Sequence, residues 1–118
     1  MAGFSDPRPR MPYELGRRGD IVAILWKDPL LSPPSPAANK ILWVSRVPVT
    51  NAGLIIDARR MAGARPVGTV VRRTVTGGPG PSIINIPAAG CWRLSLRWSG
   101  HSDSLDVRYA PGPAAAAG

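Results

Sequence analysis

The chain has 118 residues, 44% of them hydrophobic, with 13 Gly, 14 Pro and a formal net charge of +8. That length suits one domain rather than two, the apolar content supports a packed core, and the density of Gly and Pro excludes a protein of long helices. A single cysteine excludes an internal disulfide, and no stretch reaches the ~18 apolar residues that a membrane helix needs.

Residues 1–12 carry Pro7, Pro9 and Pro12 among charges. They read as a disordered N-terminal arm without the apolar segment of a secretory signal. The folded domain is expected over 13–110, followed by a disordered low-complexity tail at 111–118. Within the domain, short β-prone runs alternate with turn residues. The first, DIVAILWK (20–27), is apolar on both faces and predicts a central strand. DPLLSPPSPAAN (28–39) holds four prolines and predicts a long stiff loop. KILWVSRV (40–47), GLIIDARR (53–60), VGTVVRRTVT (67–76), SIINIP (82–87), CWRLSLRW (91–98) and SLDVRY (104–109) follow. Seven short runs with no helical periodicity predict an all-β, antiparallel sandwich of about seven strands.

The last two runs alternate most clearly. Trp92, Leu94, Leu96 and Trp98 interleave with Arg93, Ser95 and Arg97, and Leu105, Val107 and Tyr109 interleave with Ser104, Asp106 and Arg108. Period two gives each strand one buried and one wet face. A turn over Gly100–Asp103 sets Leu96 against Val107, Leu94 against Tyr109 and Arg97 against Asp106. All four tryptophans, Trp26 and Trp43 included, read as core.

That hairpin bears on the chemistry. Cys91 and His101, the only thiol and imidazole, would make a nucleophile–base pair only if adjacent. Seven residues of strand hold them ~20 Å apart, which excludes the pair and leaves Cys91 as a buried filler. Ser99, His101 and Asp103 sit in one tight loop, whereas a triad draws on distant segments. Asp103, Asp106 and one imidazole fall short of a zinc set. Arg18-Gly19-Asp20 reads as turn chemistry, and TGGPGPS (76–82) lacks the Lys-Ser/Thr of a phosphate loop. No catalytic residue, cofactor or metal ligand is expected. A small hydrolase using His101 is the remote alternative.

Of the 15 cations, 13 are arginine, and Arg93, Arg97 and Arg108 fall on one strand face. They form a candidate anion-contact face. Nucleic acid is less favoured as a partner, because the tryptophans that could stack on bases read as core.

The segment Pro87-Ala88-Ala89-Gly90-Cys91-Trp92-Arg93-Leu94 resembles the corner before the penultimate strand of immunoglobulin-like sandwiches. With Leu96 and the later Asp103, Asp106 and Tyr109, it is similar to the C-terminal part of uncharacterised bacterial β-sandwich proteins, often exported or membrane-associated. The resemblance implies an immunoglobulin-like fold and an extracytoplasmic or membrane-associated setting, and no catalytic residue. The expected role is a non-enzymatic binding or structural module of the bacterial cell envelope. Its ligand would be met by the loops Asp28–Asn39 and Gly100–Asp103. The alternative is a basic module docking on nucleic acid or acidic lipid.

Overall fold

The computed structural model describes residues 12–26, 29–36 and 38–113. Most of the expected N-terminal arm and C-terminal tail lies outside the described residues. The fold is all-β. Its strands are β1 Tyr13–Leu15, β2 Ile21–Leu25, β3 Leu30–Ser32, β4 Lys40–Ser45, β5 Leu54–Ala62, β6 Arg65–Val75, β7 Pro81–Ile83, β8 Gly90–Trp98 and β9 His101–Pro111. One sheet has the order β1-β2-β4-β7 and the other β3-β9-β8-β5-β6. Pairing is antiparallel throughout, except that β3 lies parallel to β9.

The nine strands of the described residues correct the expected seven, through the two short strands β1 and β3. Strand β1 has three residues, all exposed, and so carries no inward–outward pattern. Strand β3 lies inside the stretch expected to be loop. Asn39 explains it. Its side chain accepts from Leu31 N at 2.7 Å and donates to Leu31 O at 2.8 Å and to Asn85 Oδ1 at 2.8 Å. On this sheet edge a buried side chain takes the place of a neighbouring strand. Asn39 adopts φ 63°, a left-handed conformation that Asn tolerates better than most residues.

The two sheets share one apolar core. Ile21, Ala23, Ile41 and Trp43 from the first meet Ile56, Leu94, Leu96 and Trp98 from the second. Two hydrogen bonds tie the sheets across it: Trp98 Nε1 donates to Ser45 Oγ at 2.9 Å, and Tyr109 Oη donates to the Ile84 carbonyl at 2.6 Å. Trp43, Trp92 and Trp98 are buried as expected. Trp26 is not: it is 51% exposed. It shares the outward phase of Val22 and Ile24, whereas Ile21, Ala23 and Leu25 point inward.

The terminal hairpin keeps its expected faces but not its expected register. Trp98 pairs with His101, Leu94 with Leu105, and Trp92 with Val107. Ser99 and Gly100 alone form the turn, at φ 49° and φ 78°. Two consecutive left-handed residues make the primed turn whose twist matches a hairpin. Relative to the expected register, β9 is displaced by four positions. An even step leaves every side chain on its face, but it brings Arg93, not Arg97, opposite Asp106. It also moves His101, Ser102 and Asp103 out of the supposed loop and into β9.

Candidate functional site

Ser99, His101 and Asp103 serve three separate structural tasks. Ser99 Oγ accepts from Thr50 N at 2.8 Å. The His101 ring tilts against Trp98, with centroids 5.8 Å apart. Asp103 is buried, and its Oδ1 accepts from Arg18 N and Ser104 N, both at 2.8 Å, while Oδ2 accepts from Asp20 N at 3.0 Å. Burial pushes its carboxyl up, but the three backbone donors outweigh that and hold it below the usual carboxylate value. Asp103 thus clamps the turn between β1 and β2. Gly16 packs directly on this carboxylate, where a Cβ would collide with it. The Arg18-Gly19-Asp20 tripeptide lies in this clamped turn.

Cys91 stands at the far end of β8 from His101, paired with Arg108. It is exposed, which corrects its reading as a buried filler. The alternation that buries Trp92 turns its neighbour to solvent. Among the described residues no group of three or more His, Cys, Asp or Glu side chains converges as a metal site would require. No helix of the described residues is long and apolar enough to cross a membrane.

What the fold does assemble is a charged sheet face. On the outward side of the five-stranded sheet, the register sets Arg72 beside Asp57 and then Ser95 and Ser104. The next row runs Arg59, Arg93, Asp106, and the one beyond it runs Met61, Cys91, Arg108. Arg97 completes β8's contribution. Arg93, Arg97 and Arg108, grouped by their strand phase, all lie on this side of the sheet. The sequence did not show Arg59 and Arg72, whose strands lie far away along the chain, or Arg17, which arrives from the β1–β2 turn.

The two carboxylates are each shared by two guanidinium groups. Asp106 receives Arg93 Nε at 2.9 Å and Arg17 Nη2 at 2.8 Å. Asp57 receives Arg72 Nε at 2.7 Å and Arg97 Nη2 at 3.4 Å. The forked bond from Arg72 holds Asp57 below the usual carboxylate range, and that from Arg93 does the same for Asp106. In return, Arg72 and Arg93 are pushed up. Arg59 and Arg108 take no part in these four pairs. The face therefore carries six guanidinium groups, five on the five-stranded sheet and Arg17 from the β1–β2 turn, beside Asp57 and Asp106, with Glu14 of β1 bordering it next to Cys91 and Arg108.

Comparison of the chain with protein-family models, with curated proteins and with solved structures gives no match.

Proposed function

We propose that the protein is a non-enzymatic binding module of immunoglobulin-like build that works at the bacterial cell envelope and engages an anionic partner through its arginine-bearing sheet face. The strand order supports the immunoglobulin-like part. With β2, β4 and β7 as A, B and E, and β5, β6, β8 and β9 as C, C′, F and G, it follows the division of a variable-type sandwich. The envelope setting rests on the Pro87–Leu94 corner and its resemblance to exported sandwiches.

The observation that carries the binding role is the imbalance of charge on the face. Arg59 and Arg108 stand outside the ion pairs of Asp57 and Asp106, and guanidinium forks match carboxylate, sulfate and phosphate oxygens. None of the side chains placed on this face is aromatic, so bases would find nothing to stack on. An anionic polysaccharide or phosphate-bearing envelope component fits better than nucleic acid.

The test is retention on immobilised heparin across a salt gradient. The wild-type protein should remain bound beyond about physiological ionic strength (~0.15 M). The Arg59→Glu/Arg108→Glu variant, which leaves the Asp57 and Asp106 ion pairs in place, should fold normally and elute early. Elution of the wild type below that ionic strength, or unchanged retention of the double variant, removes this face as the contact surface.

A further inference from the structure

The opposite face of the sandwich is built quite differently. On the outer surface of the four-stranded sheet, the register sets Tyr13, Ile24, Leu42 and Pro81 in one row. The next row holds Leu15, Val22 and Val44. The last brings Lys40 beside Ile83, with Trp26 joined to Lys40 through its backbone N–H. Lys40 is the single charged side chain in the three rows. Tyr13 is 60% exposed, Ile83 57% and Trp26 51%. Rows ~7 Å apart across four strands ~4.8 Å apart cover, with the reach of the side chains, on the order of 600 Å². That is the upper end of what a monomer leaves open, ~300–600 Å². It approaches the ~800 Å² per partner of a standard interface.

We infer that this face docks a second copy of the same chain, in a two-fold pair packed sheet on sheet. Three features of the surface select that occupant. The first is charge complementarity. A two-fold axis parallel to the strands, running between β2 and β4, lays each β2 over the other copy's β4. Ile24 then meets Leu42, Val22 meets Val44, and Trp26 of one copy lies over Lys40 of the other. The lysine of these rows falls on the exposed indole, twice over, as an isologous contact requires. The hollow between Trp26, Lys40, Pro81 and Ile83 receives the incoming ring. The second is the area, which two such faces bury almost to the standard amount. The third is the net charge of +8. Stacked sheets lie ~10 Å apart, so this pairing keeps the two arginine faces outermost, ~30 Å from one another. Salt screens that separation, since the Debye length at ~0.15 M is only ~8 Å. Pairing through the arginine faces would instead press like charges together.

The experiment is sedimentation equilibrium over about 1–300 µM protein, a span suited to the micromolar affinity of a modest interface. It uses the full chain with Cys91→Ser, so that no intermolecular disulfide contributes. The expected result is a rise from 12.5 kDa toward twice that mass, with acrylamide quenching of Trp26 falling in step. Val44→Lys buries a charge inside the contact and should hold the protein at monomer mass. Lys40→Glu, an exposed site that leaves the core untouched, should weaken association at least tenfold, while Lys40→Arg restores it. Circular dichroism confirms that each variant is folded. A wild type that stays monomeric to the top of the range overturns the inference. So does a folded Lys40→Glu or Val44→Lys that associates like the wild type. A monomer that instead sediments with neutral phosphatidylcholine vesicles assigns the face to a bilayer and overturns it equally.

Discussion

Asp103 is the side chain whose loss should most clearly expose how this sandwich is tied. Asp103→Ala removes the acceptor for three backbone N–H groups, those of Arg18, Asp20 and Ser104. A dry donor bonded to a charged acceptor is worth about 1.5–3 kcal/mol, but water can reach the partly exposed turn, so about 1 kcal/mol per bond is the fair figure. The expected loss is therefore about 3 kcal/mol, a large share of the roughly 5–15 kcal/mol that holds a domain of this size together. Asp103→Asn keeps Oδ1 for two donors but turns an amide N–H₂ toward the Asp20 N–H, so about 1–2 kcal/mol should go. The pH dependence has a definite sign. The folded carboxyl titrates below its ordinary value of 3.8. Its contribution is whole above that value and drains away as pH falls through the folded value. Asp57 and Asp106 lose stability in the same direction, so Asp103→Asn is the reference that isolates this one group. Urea unfolding followed by tryptophan fluorescence, at neutral pH and stepwise into acid, should show the gap between wild type and Asp103→Asn closing. A gap that persists into acid, or an Asp103→Ala variant within about 0.5 kcal/mol of wild type at neutral pH, refutes the clamp.

Tyr109→Phe should cost about 1–2 kcal/mol, because the Ile84 carbonyl loses a buried donor. Burial pushes the Tyr109 phenol well above its ordinary value of 10.0. The wild type should therefore lose stability as pH rises past that value, a dependence that Tyr109→Phe removes and that alkaline denaturation measures. Asn39→Ala should destabilise by about 3–4 kcal/mol, combining three lost bonds with a left-handed alanine. Hydrogen exchange should then find β3 open before the rest of the sheet. Cys91 should react with a thiol reagent in the native protein nearly as fast as in denaturant. Strong native protection would contradict its outward placement.

The sequence exposes some of this fold well. The alternation from Trp92 to Trp98 and from Leu105 to Tyr109 specifies which face is buried, and it survives a register displaced by four. The displacement itself hung on Ser99-Gly100, a dipeptide that forms a primed turn less predictably than Asn-Gly, so a longer loop looked equally good. Cys91 could have been placed from its phase against Trp92; its chemical type misled where its position did not. Trp26 shows a harder limit. DIVAILWK is apolar on both sides because one side builds the core and the other forms an exposed apolar surface. Periodicity gives the same reading for a strand buried twice. The arginine face was half visible because only Arg93, Arg97 and Arg108 share one hairpin. Arg17, Arg59 and Arg72 reach it through sheet pairing and a turn clamp that no local pattern encodes.

Strand β6 adds a consequence for how the molecule can grow. Among the described residues it is the longest border strand: 11 residues at the margin of the five-stranded sheet, most of them exposed. An open border of that length would normally template a foreign strand. Here Pro66 supplies no amide, and Gly68 at φ 76° kinks the run where its pairing with β5 slips between Ala58 and Arg60. Arg65, Arg72 and Arg73 add charge along the same margin. Ribbon-like extension into fibrils is blocked at that side, so a crowded solution of this protein should favour closed, finite assemblies over filaments.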